Sequence, residues 1–365
     1  MKALLLCASI FRLGGIDEFN QNLFKALELE FKDSEFTVIS LLDNKEEAFS
    51  LWVNLKLLFC SESSSLFLKK IVFSIKSLKI ILSKKPAYVI CTHLGVSQIA
   101  YYLSKVCKFK YAVITHGKEV WDLKRGNKYR ILESADLILT VSNYTRTKLI
   151  NNHINPAKVV ILKNMVDTGR FYPEVKNRQL LKSLSIENKK ILLTVGRIVR
   201  GRHKGYYEML EVVTKLSEDY VWLVVGSGND LSRLISKAQE NKIMHKIRFC
   251  ENVRRKMLVD YYNLCDVFVM PSKEEGFGIV FLEALACGKP VITGNKDGSR
   301  EALLDGRLGT LINPDNIEEI ISAVQSICLR GDGRPSEFLR KEVEDNFGIK
   351  VFNERVRLIF SEFLK

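Results

Sequence analysis

The chain has 365 residues, of which 47% are hydrophobic and 27% are charged. This composition is typical of a globular protein and excludes long disordered tracts, and the length favours two domains. The net charge is +14, and residues 1–165 carry +10 of it, with 24 Lys and Arg against 14 Asp and Glu. Such an excess indicates partners that carry phosphates or other anions, but not a fold.

Eight scattered cysteines form no Cys-x-x-Cys pair, which argues against a zinc site or a disulfide framework and favours a reducing compartment. The apolar start, residues 3–7, is short and leads into Gly14-Gly15, so a strand is favoured over a signal peptide. No apolar run reaches the ~18–20 residues of a spanning helix. We expect a cytoplasmic protein, with peripheral placement on the inner face of the plasma membrane as an option.

In the first half, short apolar runs predict buried parallel strands, with helical patterns between most of them. The predicted strands are residues 3–7, 36–41, 88–91, 111–114, 137–141 and 159–162, and the predicted helices include 19–31 and 97–106. Ser142 or Asn143 is positioned to cap the helix that follows. Residues 1–165 are therefore predicted to be a Rossmann-like domain.

A polar connector from Asn164 to about Lys189 precedes a second alternation. Its predicted strands are 190–195, 221–225, 247–250, 267–270, 290–293 and 309–312, and its predicted helices include 206–216, 231–239, 257–264 and 317–329. Residues 166–347 are predicted to be a second Rossmann-like domain, and 348–365 to form a final helix that packs back toward the first domain. The predicted fold is α/β, with two doubly wound domains facing each other across a cleft that holds the ligand.

The most informative stretch is Gly276-Phe277-Gly278, which lies between a predicted strand and a helix that begins near Ile279. The glycines allow a close backbone approach, and a helix N-terminus favours a phosphate. Glu283 is the only charge on this apolar helix. Its carboxylate needs hydrogen-bond donors or a cation, which either ligand hydroxyls or an internal salt bridge can supply.

Glu275 and Glu283 are separated by seven residues that span Gly-Phe-Gly. This pattern resembles the signature of the large glycosyltransferase family 4, the group 1 glycosyl transferases, which are retaining enzymes of the GT-B fold. The stretches 264–272 and 286–291 extend the resemblance, which implies that residues 1–165 form the acceptor-side domain and that residues 166–347 bind the nucleotide sugar. It implies that Glu275 contacts the donor sugar as a catalytic residue, that Glu283 contacts the nucleotide ribose, and that residues 276–279 help to bind the donor.

Arg197 and Lys204 follow the first strand of the second half, with Arg200 and Arg202 between them. They resemble the Arg and Lys with which the family grips the donor diphosphate. Fixed cations stabilise the charge that grows on a diphosphate leaving group. A basic surface loop is the alternative interpretation.

In the first half, Gly15 follows the first strand, as a similar glycine does in the family. It suits a close approach to a phosphate or to the acceptor, or merely forms a tight turn. His116 resembles a family histidine near the donor sugar and is the second catalytic candidate; a structural role is its alternative. His93 lies at a similar strand end.

No Asp-x-Asp pair is present, so we expect catalysis without a metal or other cofactor. The resemblance implies transfer of a hexose or N-acetylhexosamine from a UDP- or GDP-linked sugar to a glycan or lipid-linked acceptor, in bacterial-type polysaccharide or lipopolysaccharide synthesis. The alternatives are a nucleotide-sugar epimerase and a non-enzymatic nucleic-acid-binding protein. No recognised nucleic-acid motif supports the latter.

Residues 51–110 hold ten lysines and one acid, Glu62. Between residues 66 and 82, Lys69, Lys76 and Lys79 lie away from a stripe of apolar residues at helical spacing. The stripe consists of Leu68, Ile71, Val72, Ile75, Leu78 and Ile81. The pattern predicts a basic amphipathic helix that either lies on an anionic membrane surface or packs on the core with a solvated basic face.

Overall fold

The computed structural model describes residues 2–12, 14–43, 55–60, 65–201 and 204–364. Glu62 and Arg202, which the sequence analysis interprets, therefore lie outside the described residues. The chain divides into two compact units. Unit 1 comprises Met1–Asn164 together with Lys350–Lys365, and unit 2 comprises Met165–Ile349.

Unit 1 is built on a seven-stranded sheet in which every pair of neighbouring strands is parallel. The strands are β1 Lys2–Cys7, β2 Glu35–Ser40, β3 Leu55–Phe59, β4 Tyr88–Cys91, β5 Lys110–Thr115, β6 Leu137–Thr140 and β7 Val159–Ile161. Their order is β3-β2-β1-β4-β5-β6-β7. The order reverses between β1 and β4, and in such sheets ligands bind beyond the carboxyl ends of the strands at the reversal.

The helices of unit 1 cover this sheet. They are α1 Gly15–Glu30, α2 Leu66–Lys84, α3 Gln98–Leu103, α4 Asn127–Ser134, α5 Asn143–Asn151 and, at the end of the chain, α14 Ile349–Phe363. Ser142 caps α5 by accepting a hydrogen bond from the Thr145 amide. Along α14, Phe352 packs edge-on against Phe19 with ring centroids 6.0 Å apart. The aromatic side chains of α14 therefore contribute to the core of unit 1.

Unit 2 repeats the architecture with a six-stranded parallel sheet of order β10-β9-β8-β11-β12-β13. Its strands are β8 Lys190–Val195, β9 Tyr220–Val225, β10 Ile247–Cys250, β11 Val267–Met270, β12 Val291–Gly294 and β13 Thr310–Ile312. Its helices are α6 Arg178–Ser183, α7 Tyr206–Lys215, α8 Leu231–Glu240, α9 Leu258–Leu264, α10 Ile279–Ala286, α11 Ser299–Ala302, α12 Ile317–Arg330 and α13 Ser336–Phe347. The strand order reverses between β8 and β11. The prediction of two doubly wound α/β domains is confirmed.

Helix α2 corrects the predicted arrangement of lysines and apolar residues. Lys69 is only 8% exposed, and its Nζ donates to the carbonyl of Leu42. Lys76 likewise donates to the carbonyls of Phe59 and Cys60. These carbonyls lie at or beyond the carboxyl ends of β2 and β3, where buried acceptors need donors. The alternative of a solvated basic face is therefore wrong for Lys69, while Lys76 is half-buried and Lys79 is exposed.

The apolar stripe of α2 is divided between the interior and the surface. Ile81 of the stripe is buried, together with Phe73 and Ser77. The large apolar side chains on the surface are Leu66, Phe67, Leu68, Ile71, Ile75, Leu78 and Leu82. Among them Phe67 is 71% exposed and Ile75 is 60% exposed. Within the described ranges, no helix is long and apolar enough to span a bilayer.

Candidate functional site

The loops that follow β8 and β11 meet through an ion pair. The strands are neighbours, so both loops leave the same edge of the sheet. The Nζ of Lys204 lies 2.6 Å from Oε2 of Glu275, and the two side chains are 15% and 18% exposed. Partial burial strengthens such a pair relative to one in bulk water. The structure thus brings together the residues predicted for the diphosphate and for the sugar.

Glycines allow these loops to approach closely. Gly205 has φ +83°, and a Cβ there would lie 2.5 Å from the Pro271 ring. A Cβ on Gly196 would lie 3.7 Å from Nζ of Lys204. Arg197 follows Gly196 directly and is exposed. The close contacts at Gly205, Pro271 and Gly196 hold Lys204 beside the loop after β11. Arg197 is the next residue after Gly196 in the chain.

The Gly276–Ile279 segment forms the turn into α10. Gly278 is the N-cap residue with φ +90°, and α10 has no side-chain cap. A Cβ on Gly278 would lie 2.3 Å from the Phe281 ring. The ring of Phe277 is buried and packs edge-on against Phe347, with centroids 5.7 Å apart. The ring of Phe277 therefore packs inside unit 2 and is not available to a ligand.

Glu283 lies one helical turn into α10, and its contact is with α9. The Tyr262 hydroxyl donates to Oε2 of Glu283 at 2.5 Å, and both side chains are buried. Burial raises the pKa of Glu283, while the Tyr262 hydroxyl and the charges of Arg170 and Arg255 lower it. The carboxylate thus has an internal donor, and the predicted contact with a ribose remains a prediction.

The sequence analysis did not predict two residues of this region. One is Tyr262, because its contact with Glu283 joins positions 21 residues apart. The other is Asp297, which follows β12 and accepts a hydrogen bond from the Glu275 amide at 2.6 Å. An acidic residue directly beyond a buried strand, beside Gly298, was the available signal for Asp297.

In unit 1, His116 follows β5 and is held by its surroundings. Its Nε2 lies 2.8 Å from the Thr92 carbonyl, and its ring meets the edge of Phe19 at 5.3 Å. Burial is the main reason that its pKa is lowered, which favours the neutral imidazole. His93 stacks on it at 6.0 Å. Gly15 is the exposed first residue of α1, and the roles of His116 and Gly15 remain predictions.

The described part of the chain contains no group of three or more His, Cys, Asp or Glu side chains that could hold a metal ion. The ammonium group that pairs with Glu275 is that of Lys204, at 2.6 Å.

The segment that carries this site resembles a known family in sequence. Residues 176–337 match the model of the family described as "Glycosyl transferases group 1". A GDP-mannose-dependent alpha-(1-6)-phosphatidylinositol monomannoside mannosyltransferase of Mycolicibacterium smegmatis is 30% identical over 225 residues, 58% of each chain. Spore coat protein SA of Bacillus subtilis is 27% identical over 252 residues, 63% of this chain and 66% of that protein. The matched region spans 58% of the first relative and 60% of its Mycobacterium tuberculosis counterparts.

Comparison with solved structures shows the fold over the full chain. HepE of Anabaena, solved in complex with UDP-glucose, has a TM-score of 0.81 at 15% identity, covering 99% of this chain and 100% of that one. Sucrose-phosphate synthase from Thermosynechococcus elongatus has a TM-score of 0.83 at 17% identity, covering 100% and 99%. The family match over residues 176–337 agrees with the resemblance drawn from the sequence, and the solved structures show that the chain has the GT-B fold.

Proposed function

We propose that this chain transfers a hexose or N-acetylhexosamine from a UDP- or GDP-linked sugar to a glycan or lipid-linked acceptor, with retention of anomeric configuration and without a metal. The observation that carries the proposal is the Lys204–Glu275 pair at the carboxyl ends of β8 and β11. A partly buried cation beside a carboxylate offers one group to a diphosphate and another to sugar hydroxyls. The mycobacterial relative, named for a GDP-mannose donor and a lipid acceptor, supports the same chemistry.

The proposed reaction needs charge stabilisation more than acid catalysis. The bond between the anomeric carbon and the β-phosphate oxygen breaks, and a bond from the acceptor oxygen forms on the same face of the sugar. The acceptor proton passes to an oxygen of the departing diphosphate. Arg197 and Lys204 stabilise the negative charge that grows there, because fixed cations favour the transition state over the ground state. Glu275 binds and orients the sugar.

The test is thermal unfolding of the protein with a panel of UDP-, GDP- and ADP-sugars in EDTA. A ligand at ~100 times its dissociation constant adds ~2.7 kcal/mol to the free energy of unfolding. We expect one nucleotide class to stabilise the wild type and to lose its effect in Lys204→Met. Lys215→Met is the matched control, because Lys215 pairs with Glu318 on an exposed helix surface.

Three outcomes would contradict parts of the proposal. If no sugar nucleotide raises the unfolding temperature, the chain does not bind a donor of this class. If turnover vanishes in EDTA and returns with manganese, metal independence fails. If the sugar nucleotide is consumed with no acceptor present and yields an epimer, the protein is an epimerase. Filter binding to DNA at moderate salt tests the non-enzymatic alternative.

The proposal includes reversible binding of unit 1 to an anionic membrane surface. The support is the outer face of α2, which we define as Phe67, Leu68, Ile71, Ile75, Leu78 and Leu82, all exposed. Lys70 and Lys79 are also exposed on this helix. Apolar side chains flanked by lysines suit the boundary between headgroups and acyl chains. The basic excess of residues 1–165 complements an anionic leaflet.

Co-sedimentation with vesicles of increasing anionic lipid content tests this binding. Ile75→Asp should abolish it, because it places a charge in the apolar face, while Leu358→Asp on α14 is the matched control at another exposed leucine. Lys70→Glu with Lys79→Glu should weaken it in a salt-dependent way, by about 1 kcal/mol per lysine lost. Lys69 and Lys76 are unsuitable targets, since they bind backbone carbonyls. A wild type that ignores anionic vesicles at low salt contradicts the hypothesis.

A further inference from the structure

The loops after β11 and β12 are in close backbone contact. A Cβ on Gly294 would lie 2.0 Å from the Ser272 carbonyl oxygen, and a Cβ on Gly298 would lie 2.2 Å from the Gly276 carbonyl oxygen. Any side chain at either glycine would push the two loops apart. The loop that carries Glu275 is therefore shaped by the neighbouring loop, which contains Asp297.

Asp297 is 1% exposed, and both of its carboxylate oxygens are occupied by donors. Oδ2 accepts from the Glu275 amide at 2.6 Å and from the Ser272 hydroxyl at 2.9 Å. Oδ1 accepts from the Ser299 amide at 3.0 Å and from its hydroxyl at 2.5 Å. The Gly298 amide in turn donates to the Glu275 carbonyl at 2.9 Å. The peptide groups on both sides of the Glu275 Cα are thus held by the β12 loop.

The position of this carboxylate is electrostatically unfavourable. Burial raises the pKa of Asp297, and the like charge of Glu275 adds to the effect. A buried acid beside a second acid destabilises a protein unless several donors offset it. Here the donors include the backbone of Glu275, and the Glu275 side chain is left to Lys204. This unfavourable arrangement has a function if it fixes the direction of the Glu275 carboxylate.

We propose that Asp297 is a positioning residue that holds the Glu275 loop in the conformation in which the Glu275 carboxylate meets Lys204 and the donor sugar. It acts through the backbone of Glu275 and makes no contact with the donor. The part of this inference that concerns the donor rests on the proposed function. The part that concerns the loop does not, so the two can be tested separately.

Hydrogen exchange of the ligand-free protein tests the loop. In Asp297→Asn the Glu275 amide loses a charged acceptor, and exchange across residues 273–281 should accelerate about 10- to 100-fold. Asp305→Asn is the matched control, because Asp305 is an exposed acid of the same unit whose partner, Arg300, lies outside residues 273–281. Unchanged exchange in Asp297→Asn overturns the proposal. Gly298→Ala, which forces the loops apart by steric contact, should show the same local acceleration if Asp297→Asn does not fold.

A double-mutant cycle tests the link to the donor. The dissociation constant of the sugar nucleotide that stabilises the wild type is measured for Asp297→Asn, Glu275→Gln and the double variant. If Asp297 acts through Glu275, both single variants bind more weakly and the double variant binds no more weakly than the worse single one. Additive losses overturn the positioning role. If the wild type binds no sugar nucleotide, the proposed function fails, while hydrogen exchange still decides whether Asp297 fixes the loop.

Discussion

Replacing Asp297 by Asn should change how the stability of unit 2 depends on pH. Burial raises the pKa of Asp297 from 3.8 to about 6. Between these values the folded chain holds a proton that the unfolded chain has released, so this group favours folding at low pH and the contribution disappears as the pH rises through 6. The shift of about 2 pKa units corresponds to about 3 kcal/mol in total, of which about 2 kcal/mol is lost between about pH 4.5 and about pH 8.

The assay is thermal unfolding of the wild type and Asp297→Asn across that pH range. The variant has no titrating group at this position, so its unfolding temperature should rise relative to that of the wild type by about 4–8 °C as the pH increases. The loss of an acceptor shifts the variant by a constant and does not affect the slope. Asp315→Asn is the control, since the pKa of Asp315 is lowered to about 2 by its lysine partners and the residue is ionised throughout. A constant difference between wild type and Asp297→Asn would refute the reasoning.

The remaining predictions concern the donor site. Arg197→Ala should weaken nucleoside diphosphate binding by ~1.5–3 kcal/mol, the value of a hydrogen bond to a charged group; calorimetric titration beside the exposed control Arg330→Ala measures this, and an unchanged dissociation constant removes Arg197 from the site. Glu275→Gln should reduce turnover far more than the unfolding temperature, because Glu275 lies in a loop; near wild-type turnover would contradict its sugar-binding role. Gly278→Ala should lower the unfolding temperature and weaken donor binding, because φ +90° costs ~1–2 kcal/mol for alanine and its Cβ meets the Phe281 ring at 2.3 Å; a fully stable, fully binding variant would contradict the required turn.

The alternation of strands and helices was predictable because buried parallel strands are short, continuous apolar runs. The strand Leu55–Phe59 was not predicted, because Lys56 at its second position interrupts the apolar run and the strand lies at the edge of its sheet. The helix Ser336–Phe347 escaped because only Leu339, Val343 and Phe347 are buried on an otherwise polar segment. Both elements are buried by residues that are distant in the sequence, so a local sequence pattern does not reveal them.

The residues of the candidate site were likewise predictable only in part from the sequence. The motif of two glutamates around Gly-Phe-Gly places Glu275 and Glu283 at known points of a strand, turn and helix, since the spacing fixes local structure. Their partners lie elsewhere in the chain: Lys204 is 71 residues from Glu275, and Tyr262 is 21 residues from Glu283. The hydrogen-bond donor that contacts each carboxylate is determined by the order of the strands in the sheet. The periodicity of the sequence alone does not give that order.

Helix α2 shows why polarity alone does not decide which face of a helix is buried. A periodic pattern assigns the apolar face to the core, but lysine has a long apolar stem that can be buried while its ammonium binds a polar group. The carbonyls of Leu42, Phe59 and Cys60 offer such groups at the ends of two strands. Leaving a buried carbonyl without a donor costs about 1–3 kcal/mol, comparable to the ~1.5–3 kcal/mol of burying a large apolar side chain. The two free-energy terms are close enough that Lys69 can occupy the interior while Ile75 remains exposed.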